Sequence, residues 1–312
     1  GYSIVSYGTD WFSIDTGYGD IKGCYHSVMM PAGREPPGTP EDFGSMFFGG
    51  RVAVFNSGKH FDYARVDIGT QWNCQWYYRH ALLVRGPGAA PYVVLLDDAN
   101  YRSSMLHYQW LLNSEPGNRV EVNPETERVV IHGREHRLEL AWSHPAPGDY
   151  PVPHRLEVAQ DAIDSFPLSD RIGDVNYFQG KDGEPRPLGG GRWGAGLRPR
   201  VKATLWGYNG LLLTALVPRR GDEAPVAVER LGAMGHFGMV IHLDGVTDTL
   251  VASPIDRHME LGGMAGEAQL AFVRRDQAGN VLCWAAADAY TLTLDGKPVL
   301  PRQGHALNMA EG

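Results

Sequence analysis

Cysteine is scarce in this 312-residue chain. Cys24, Cys74 and Cys283 lie far apart, are odd in number and form no CxxC pair. That argues against a zinc ribbon or a CxxC redox motif, and leaves room for at most one disulfide whose partners the sequence does not specify. No run of about 20 apolar residues occurs, so no transmembrane helix is expected. Positive charge is in deficit: 28 Lys and Arg stand against 36 Asp and Glu, a net charge of −8. Nonspecific nucleic-acid binding needs a basic surface, so this balance argues against it. An anionic sugar stays open, because a local cluster of Arg and His can override the global sign. HExxH, GxSxG and the phosphate-loop pattern GxxxxGK are all missing. Gly189–Gly194 is rich in glycine but does not join a strand to a helix at the spacing a nucleotide fold requires; it reads as a loop. The chain opens with Gly1-Tyr2-Ser3, with neither a basic segment nor an apolar segment of a signal peptide. Its expected status is therefore a fragment or processed chain with an upstream part missing.

What is present points to β structure. The chain has 39 Gly, 21 Pro and only 21% charged residues, a turn-rich composition, and 43% apolar residues suffice for a substantial core. Strand patterns recur at Arg51–Phe55, Cys74–Val84, Pro91–Leu96, Met105–Asn113, Arg128–His132, Arg137–Trp142, Val201–Trp206 and Leu211–Val217. They continue at Met239–Leu243, Leu250–Ser253, Ala268–Arg274, Val281–Ala286 and Tyr290–Leu294. The run Pro91–Leu96 is apolar without alternation, as in a strand buried on both faces. In Leu106–Asn113, alternation puts His107, Gln109 and Leu111 on one face and Tyr108, Trp110 and Leu112 on the other. Asp276–Asn280 and Leu294–Lys297 read as hairpin loops, the second with an Asp-Gly pair suited to a tight turn. His154–Phe166 carries Leu156, Ala159, Ile163 and Phe166 near helical spacing and predicts a short surface helix. Met30–Gly50 and Gly173–Gly196 predict long loops. A weak domain boundary could fall within residues 145–200. The expected fold is all-β: a large antiparallel β-sandwich of two or more stacked sheets with few short helices.

Aromatic residues reach 10%, with 8 Trp and 14 Tyr. Such rings stack on sugars, though burial in sheets is the commoner use. His26 opens an apolar stretch and could transfer protons or bind a metal, because imidazole titrates near neutrality. A half-buried His bonded to backbone would carry the same sequence. Arg79 and His80 are adjacent in a strong strand and so must face opposite sides unless a bulge intervenes. Acidic residues are too numerous to single out a glycosidase pair.

The order of motifs resembles a known family. Gly8-Thr9-Asp10-Trp11 and Asp15-Thr16-Gly17 come first, then His26-Ser27-Val28-Met29-Met30 and Gly50-Arg51-Val52-Ala53-Val54-Phe55. A strand with Arg79 follows, then Tyr92–Asp97 ending in Asp, then Trp110-Leu111-Leu112-Asn113. This resembles the C-terminal β-sandwich domain of heparinase II/III-like polysaccharide lyases, carried mainly by Gly8 to Asn113. That family places His-Asn before an apolar strand, an Arg-headed strand, a VVVxD strand and WLLH. Here Ser27 replaces the usual Asn, and Asn113 stands where many members have His.

The resemblance implies that residues 1–312 form this β-sandwich, a fragment lacking an upstream α/α toroid domain. It implies β-elimination in a uronic-acid-containing polysaccharide. That reaction neutralises a carboxylate, removes a proton beside it and protonates the leaving oxygen. By resemblance His26 is the catalytic residue, with Tyr25 and Arg79 as substrate contacts. Some family members also hold zinc with two His and one Asp. The candidates here are Asp42 and His80, with His26 as alternative third ligand, and Asp62, Asp67 and His107 behind them. A polysaccharide substrate implies a periplasmic or extracellular location. The alternatives are a non-catalytic carbohydrate-binding or structural β-module, or an accessory sandwich of a glycoside hydrolase, attached to another carbohydrate-active enzyme.

Overall fold

The computed structural model describes residues 5–14, 26–31, 50–70, 72–101, 106–115, 117–146, 154–165, 196–233 and 235–312. Both predicted long loops lie almost wholly outside these residues, as do Tyr25 and Asp42.

The chain enters through a ribbon of β1 (Val5–Tyr7) and β2 (Asp10–Ser13), then β3 (Met29–Pro31). Next come β4 (Arg51–Ser57), β5 (Phe61–Asp67), β6 (Trp76–Val84), β7 (Tyr92–Asn100) and β8 (Leu106–Asn113). They are followed by β9 (Arg119–Asn123), β10 (Arg128–His132), β11 (His136–Ser143), β12 (Arg155–Ser165), β13 (Gly196–Gly207) and β14 (Gly210–Arg220). The C-terminal part contributes β15 (Ala227–Ala233), β16 (His236–Leu243), β17 (Val246–Ala252), β18 (His258–Leu261) and β19 (Met264–Glu267). It ends with β20 (Leu270–Asp276), β21 (Val281–Ala289), β22 (Thr291–Leu294), β23 (Lys297–Leu300) and β24 (Leu307–Glu311).

These strands build four stacked antiparallel layers. The first is β12-β13-β8-β3 and the second is β4-β5-β6-β7-β14-β11-β10-β9. The third is β15-β16-β17-β20-β21-β24 and the fourth is β18-β19-β22-β23. Three apolar cores separate them. Trp110, Trp142 and Tyr77 fill the space between layers one and two. Phe61, Tyr92, Leu213 and Phe272 fill the next, between layers two and three. Met259, Met264, Val273 and Leu292 fill the last.

This stacking explains the sequence patterns. A strand in an inner layer has both faces covered and reads as continuously apolar. In β14 only Arg220 is exposed, and β7 is buried almost throughout, as its unalternating sequence predicts. Strands of the outer layer alternate in part: in β8, Tyr108, Trp110 and Leu112 are buried in the first core and His107 and Gln109 are half-buried, but Leu111, expected on the face of His107 and Gln109, is buried as well. The hairpin between β22 and β23 turns at Asp295-Gly296, both in the left-handed region at φ 48° and 78°, as the Asp-Gly pair predicts.

One expectation is corrected. His154–Phe166 is not helical: Arg155–Ser165 is a strand paired along its whole length with β13. Leu156 and Val158 enter the first core, whereas Arg155, Glu157 and Ala159 face out, a period of two. The near-helical spacing of Leu156 and Ala159 lost to a ladder that satisfies the backbone cross-strand. The described residues contain no helix at all, so none is long and apolar enough to cross a membrane. Cys74 and Cys283 are free thiols, and Cys24 lies outside the described residues.

Candidate functional site

His26 begins the short segment that leads into β3, the edge strand of layer one beside β8. Its ring is half-buried, and the next residue, Ser27, is buried. The segment is fastened by several independent bonds. The backbone N–H of Asn113 donates to Ser27 Oγ at 3.1 Å, and Ser13 Oγ donates to the same oxygen at 2.9 Å. The Leu111 N–H donates to the Val28 carbonyl at 2.7 Å. Pro31 can close β3 because an edge strand leaves one side without ladder bonds.

A buried charged network under the segment ties it to layer two. Arg79 on β6 and Asp97 on β7 are cross-strand neighbours and form a two-pronged pair, Nε to Oδ1 at 2.7 Å and Nη2 to Oδ2 at 3.0 Å. Arg79 Nη1 donates to the Ser27 carbonyl at 3.3 Å. The Tyr77 hydroxyl donates to the Met29 carbonyl at 3.0 Å and stands 3.4 Å from Asp97 Oδ1. Burial alone would weaken the protonation of Arg79, but the Asp97 carboxylate outweighs it and holds the guanidinium charged, above its ordinary range. Burial, reinforced by Asp97, pushes the Tyr77 hydroxyl well above the usual phenol range, so it stays protonated and donates. Asn113 completes the surroundings. Its side chain is wholly buried, and neither its amide nitrogen nor its amide oxygen has a hydrogen-bond partner among the described residues.

The sequence-derived residues therefore separate. Arg79 belongs beneath His26, but it is 4% exposed and its fork is engaged by Asp97 and Ser27, which is an anchor's geometry and not that of a group reaching a substrate. His80 lies on the opposite face of layer two. Its Nδ1 is 2.7 Å from the Tyr63 hydroxyl in the second core. Burial, then the nearby Arg65 charge, pushes its pKa down to about 3, so the ring is neutral. His26 and His80 thus do not converge on one metal ion, because a β-sheet lies between them. Among the described residues, no group of three His, Cys, Asp or Glu could hold a metal. Asp62 pairs with Arg85 at the surface, Asp67 with Arg51, and His107 packs against Trp206 on the outer face of layer one.

Sequence reasoning missed Ser13 and Tyr77. Asp97 was visible as a carboxylate closing an apolar strand, which signals a buried charge needing a partner. That the partner is Arg79 follows only from strand register. Asp10, at the start of the quoted motifs, has a local structural task. Burial raises its pKa, but N–H bonds from Arg134, Glu135 and His136 outweigh this and hold the carboxyl below its usual range. It thereby pins the β10–β11 hairpin to the ribbon.

Four antiparallel sheets stacked face to face around three cores define a large layered β-sandwich. The same fold occurs within solved heparan sulfate lyases. Two crystal structures of heparan sulfate lyase HepC from Pedobacter heparinus, one a mutant, superpose with TM-scores of 0.51 and 0.52 at 11% identity, over 78% of this chain. A structure described as a heparinase III gene product superposes with TM-score 0.50 at 8% identity, also over 78% of this chain. The chain spans about a third of the length of those structures, 34–35%. No protein-family profile matches the sequence, and no curated protein does.

Proposed function

We propose that this chain is the β-sandwich portion of a polysaccharide lyase that cleaves a uronic-acid-containing glycan by β-elimination. The observation that carries the reading is the half-buried imidazole of His26, at the start of a segment leading into β3 that groups from layers one and two fasten jointly. A proton-transfer group needs a defined position relative to the sugar proton or leaving oxygen, and a backbone fastened on both sides supplies it. Tyr25, next in the chain, would contact substrate beside it. Arg79 acts indirectly, by holding the carbonyl of Ser27. An upstream α/α domain would form the opposite wall of the cleft and supply the remaining proton-transfer and carboxylate-neutralising groups. Such a substrate places the protein in the periplasm or outside the cell. The HepC and heparinase III folds support the reading by analogy of architecture.

The test is ultraviolet absorbance of the unsaturated uronate product, measured on a panel of uronate polysaccharides. The assay compares the 312-residue chain with a longer chain that includes the sequence encoded upstream. The longer chain is expected to release product, and His26→Ala to lose at least about 100-fold, the lower contribution of general acid–base catalysis. Unchanged turnover in His26→Ala would remove His26 from the chemistry. Absence of product on every uronate polymer would remove the lyase reading.

One observation favours the binding-module alternative. Trp206 is 39% exposed on the outer face of layer one, with His107 at 5.0 Å and the Arg155 guanidinium 5.7 Å from its ring. An exposed indole flanked by cationic and polar groups suits stacking on an acidic sugar. Under this reading the 312-residue chain alone retains glycans on an array, and Trp206→Ala abolishes retention. A blank array would discard it.

A further inference from the structure

A second cluster of charge lies on the face of layer two that points away from His26. Arg65 on β5 and Arg257, in the turn before β18, both bind Asp288 at the end of β21. Each contact is 3.0 Å, and both go to the same oxygen, Oδ2. Two guanidinium charges therefore share one carboxylate oxygen, leaving an excess positive charge at the junction of layers two and three. Each guanidinium also approaches a tyrosine ring: Arg65 is 5.7 Å from the Tyr78 centroid and Arg257 is 5.9 Å from that of Tyr290. The rings hold both forks in place without neutralising them.

Three features set this cluster apart from an ordinary ion pair. First, the Nε–H of Arg65 is buried and has no acceptor among the described residues. A buried charged donor without a partner is costly, and folded proteins seldom leave one. Second, Arg257 and Asp288 both occupy the left-handed backbone region, at φ 64° and 50°. That conformation is uncommon outside glycine and strained for Arg, and such strain gathers where geometry serves a ligand. Third, the cluster is open to solvent: the side chains of Arg65 and Arg257 are 24% and 34% exposed. The neighbours Tyr63 and His80 add no negative charge, since burial keeps the Tyr63 hydroxyl protonated and the His80 ring neutral.

We propose that Arg65 and Arg257 form a binding site for an oxyanion, the sulfate or carboxylate group of a ligand, on the face of layer two opposite His26. Planar guanidinium forks match such groups through paired N–H donors, and two forks converging on one carboxylate oxygen leave donors available. The site does not depend on the lyase reading and needs no residue of the His26 region.

The test is calorimetric titration of the 312-residue chain with sodium sulfate and with sodium acetate, against sodium chloride at matched ionic strength. The His80 imidazole signal is followed by NMR in the same titrations as a local reporter. Saturable heat and a saturable His80 shift are expected with at least one of the two oxyanions. A response to sulfate alone assigns the site to sulfate esters, and one to acetate alone assigns it to carboxylates. Arg257→Gln, at a surface turn, is expected to weaken binding at least tenfold with unchanged circular dichroism. Arg65→Gln is expected to do the same, and if it fails to fold, Arg257→Gln decides. No saturable response to either oxyanion, or equal affinity in the folded Arg257→Gln variant, overturns the proposal.

Discussion

Replacing Asp97 by Asn would leave the Arg79 guanidinium buried beside an amide that carries no charge. Breaking a buried pair by removing one partner costs about 3–5 kcal/mol, because the remaining charge stays desolvated. Asp97→Asn is expected to lower unfolding stability by about that amount in urea titration. It should also raise amide exchange along β3, since Arg79 no longer holds the Ser27 carbonyl squarely. A loss below about 1 kcal/mol, the size of an exposed pair, would contradict the anchor role. The neighbouring Asp98 behaves differently. It is almost fully buried, and its only described side-chain partner is Trp76 Nε1 at 2.8 Å. Burial, with the Asp97 charge adding to it and the Trp76 bond opposing it, pushes its pKa up to about 7. The folded chain therefore holds this proton where the unfolded chain, near 3.8, has released it. The resulting stabilisation is full below the unfolded pKa and is lost as pH rises towards 7. His80, depressed to about 3, and His154, depressed to about 4, run the other way, losing stability as pH falls below 6.5. In Asp98→Asn the opposing slope disappears. Between pH 4 and 6.5 the variant's stability should climb more steeply than the parent's, by about 1.4 kcal/mol per pH unit. Parallel stability–pH curves would refute the shifted Asp98.

At the scale of elements, β16 and β17 approach so closely at Gly238 that a Cβ there would lie 2.0 Å from the Leu250 carbonyl oxygen. Backbone cannot yield as a flexible side chain can. Gly238→Ala is expected to cost at least the 1–3 kcal/mol typical of overpacking, read from the midpoint of thermal or urea unfolding. The strand β12 shows how much an element owes to its neighbour. Its apolar positions fit two periods, and pairing with β13 selects the period of two. Val158→Asp would put a carboxylate into the first core and should destabilise by several kcal/mol, while Glu157→Lys on the outer face should change stability by less than about 0.5 kcal/mol. Similar effects at both positions would mean that β12 does not present these faces.

Across the whole molecule, layers two and three are joined by polar groups as well as by their core. The Arg274–Asp248 pair is fully buried, with contacts of 2.7 and 2.6 Å. Tyr92 on β7 donates to Asp248 at 2.8 Å, and Arg274 donates to the Gly86 carbonyl at 2.8 Å. These bonds fix how the third layer sits on the second. Asp248→Asn should cost about 3–5 kcal/mol and lower protection in β7 and β20 together, measured by hydrogen exchange. Loss confined to β20 would show that the layers do not share this pair.

The amino-acid sequence by itself determined the class of fold. Apolar alternation, continuous apolar runs and Asp-Gly turns are local signals, and they placed most of the long strands and the hairpin between β22 and β23, but not β5, β12 or β15. The sequence also marked Arg79 and His80 as residues of opposite faces, because side chains alternate along any strand. Only the tertiary structure decided which partners those faces meet. Arg79 finds Asp97 through register across two strands, Tyr63 reaches His80 across another, and Arg65 joins Arg257 through a carboxylate more than 200 residues away. Such meetings depend on how four sheets stack, and stacking is set by the sum of weak, non-directional contacts over three cores, which leaves no short pattern in the chain.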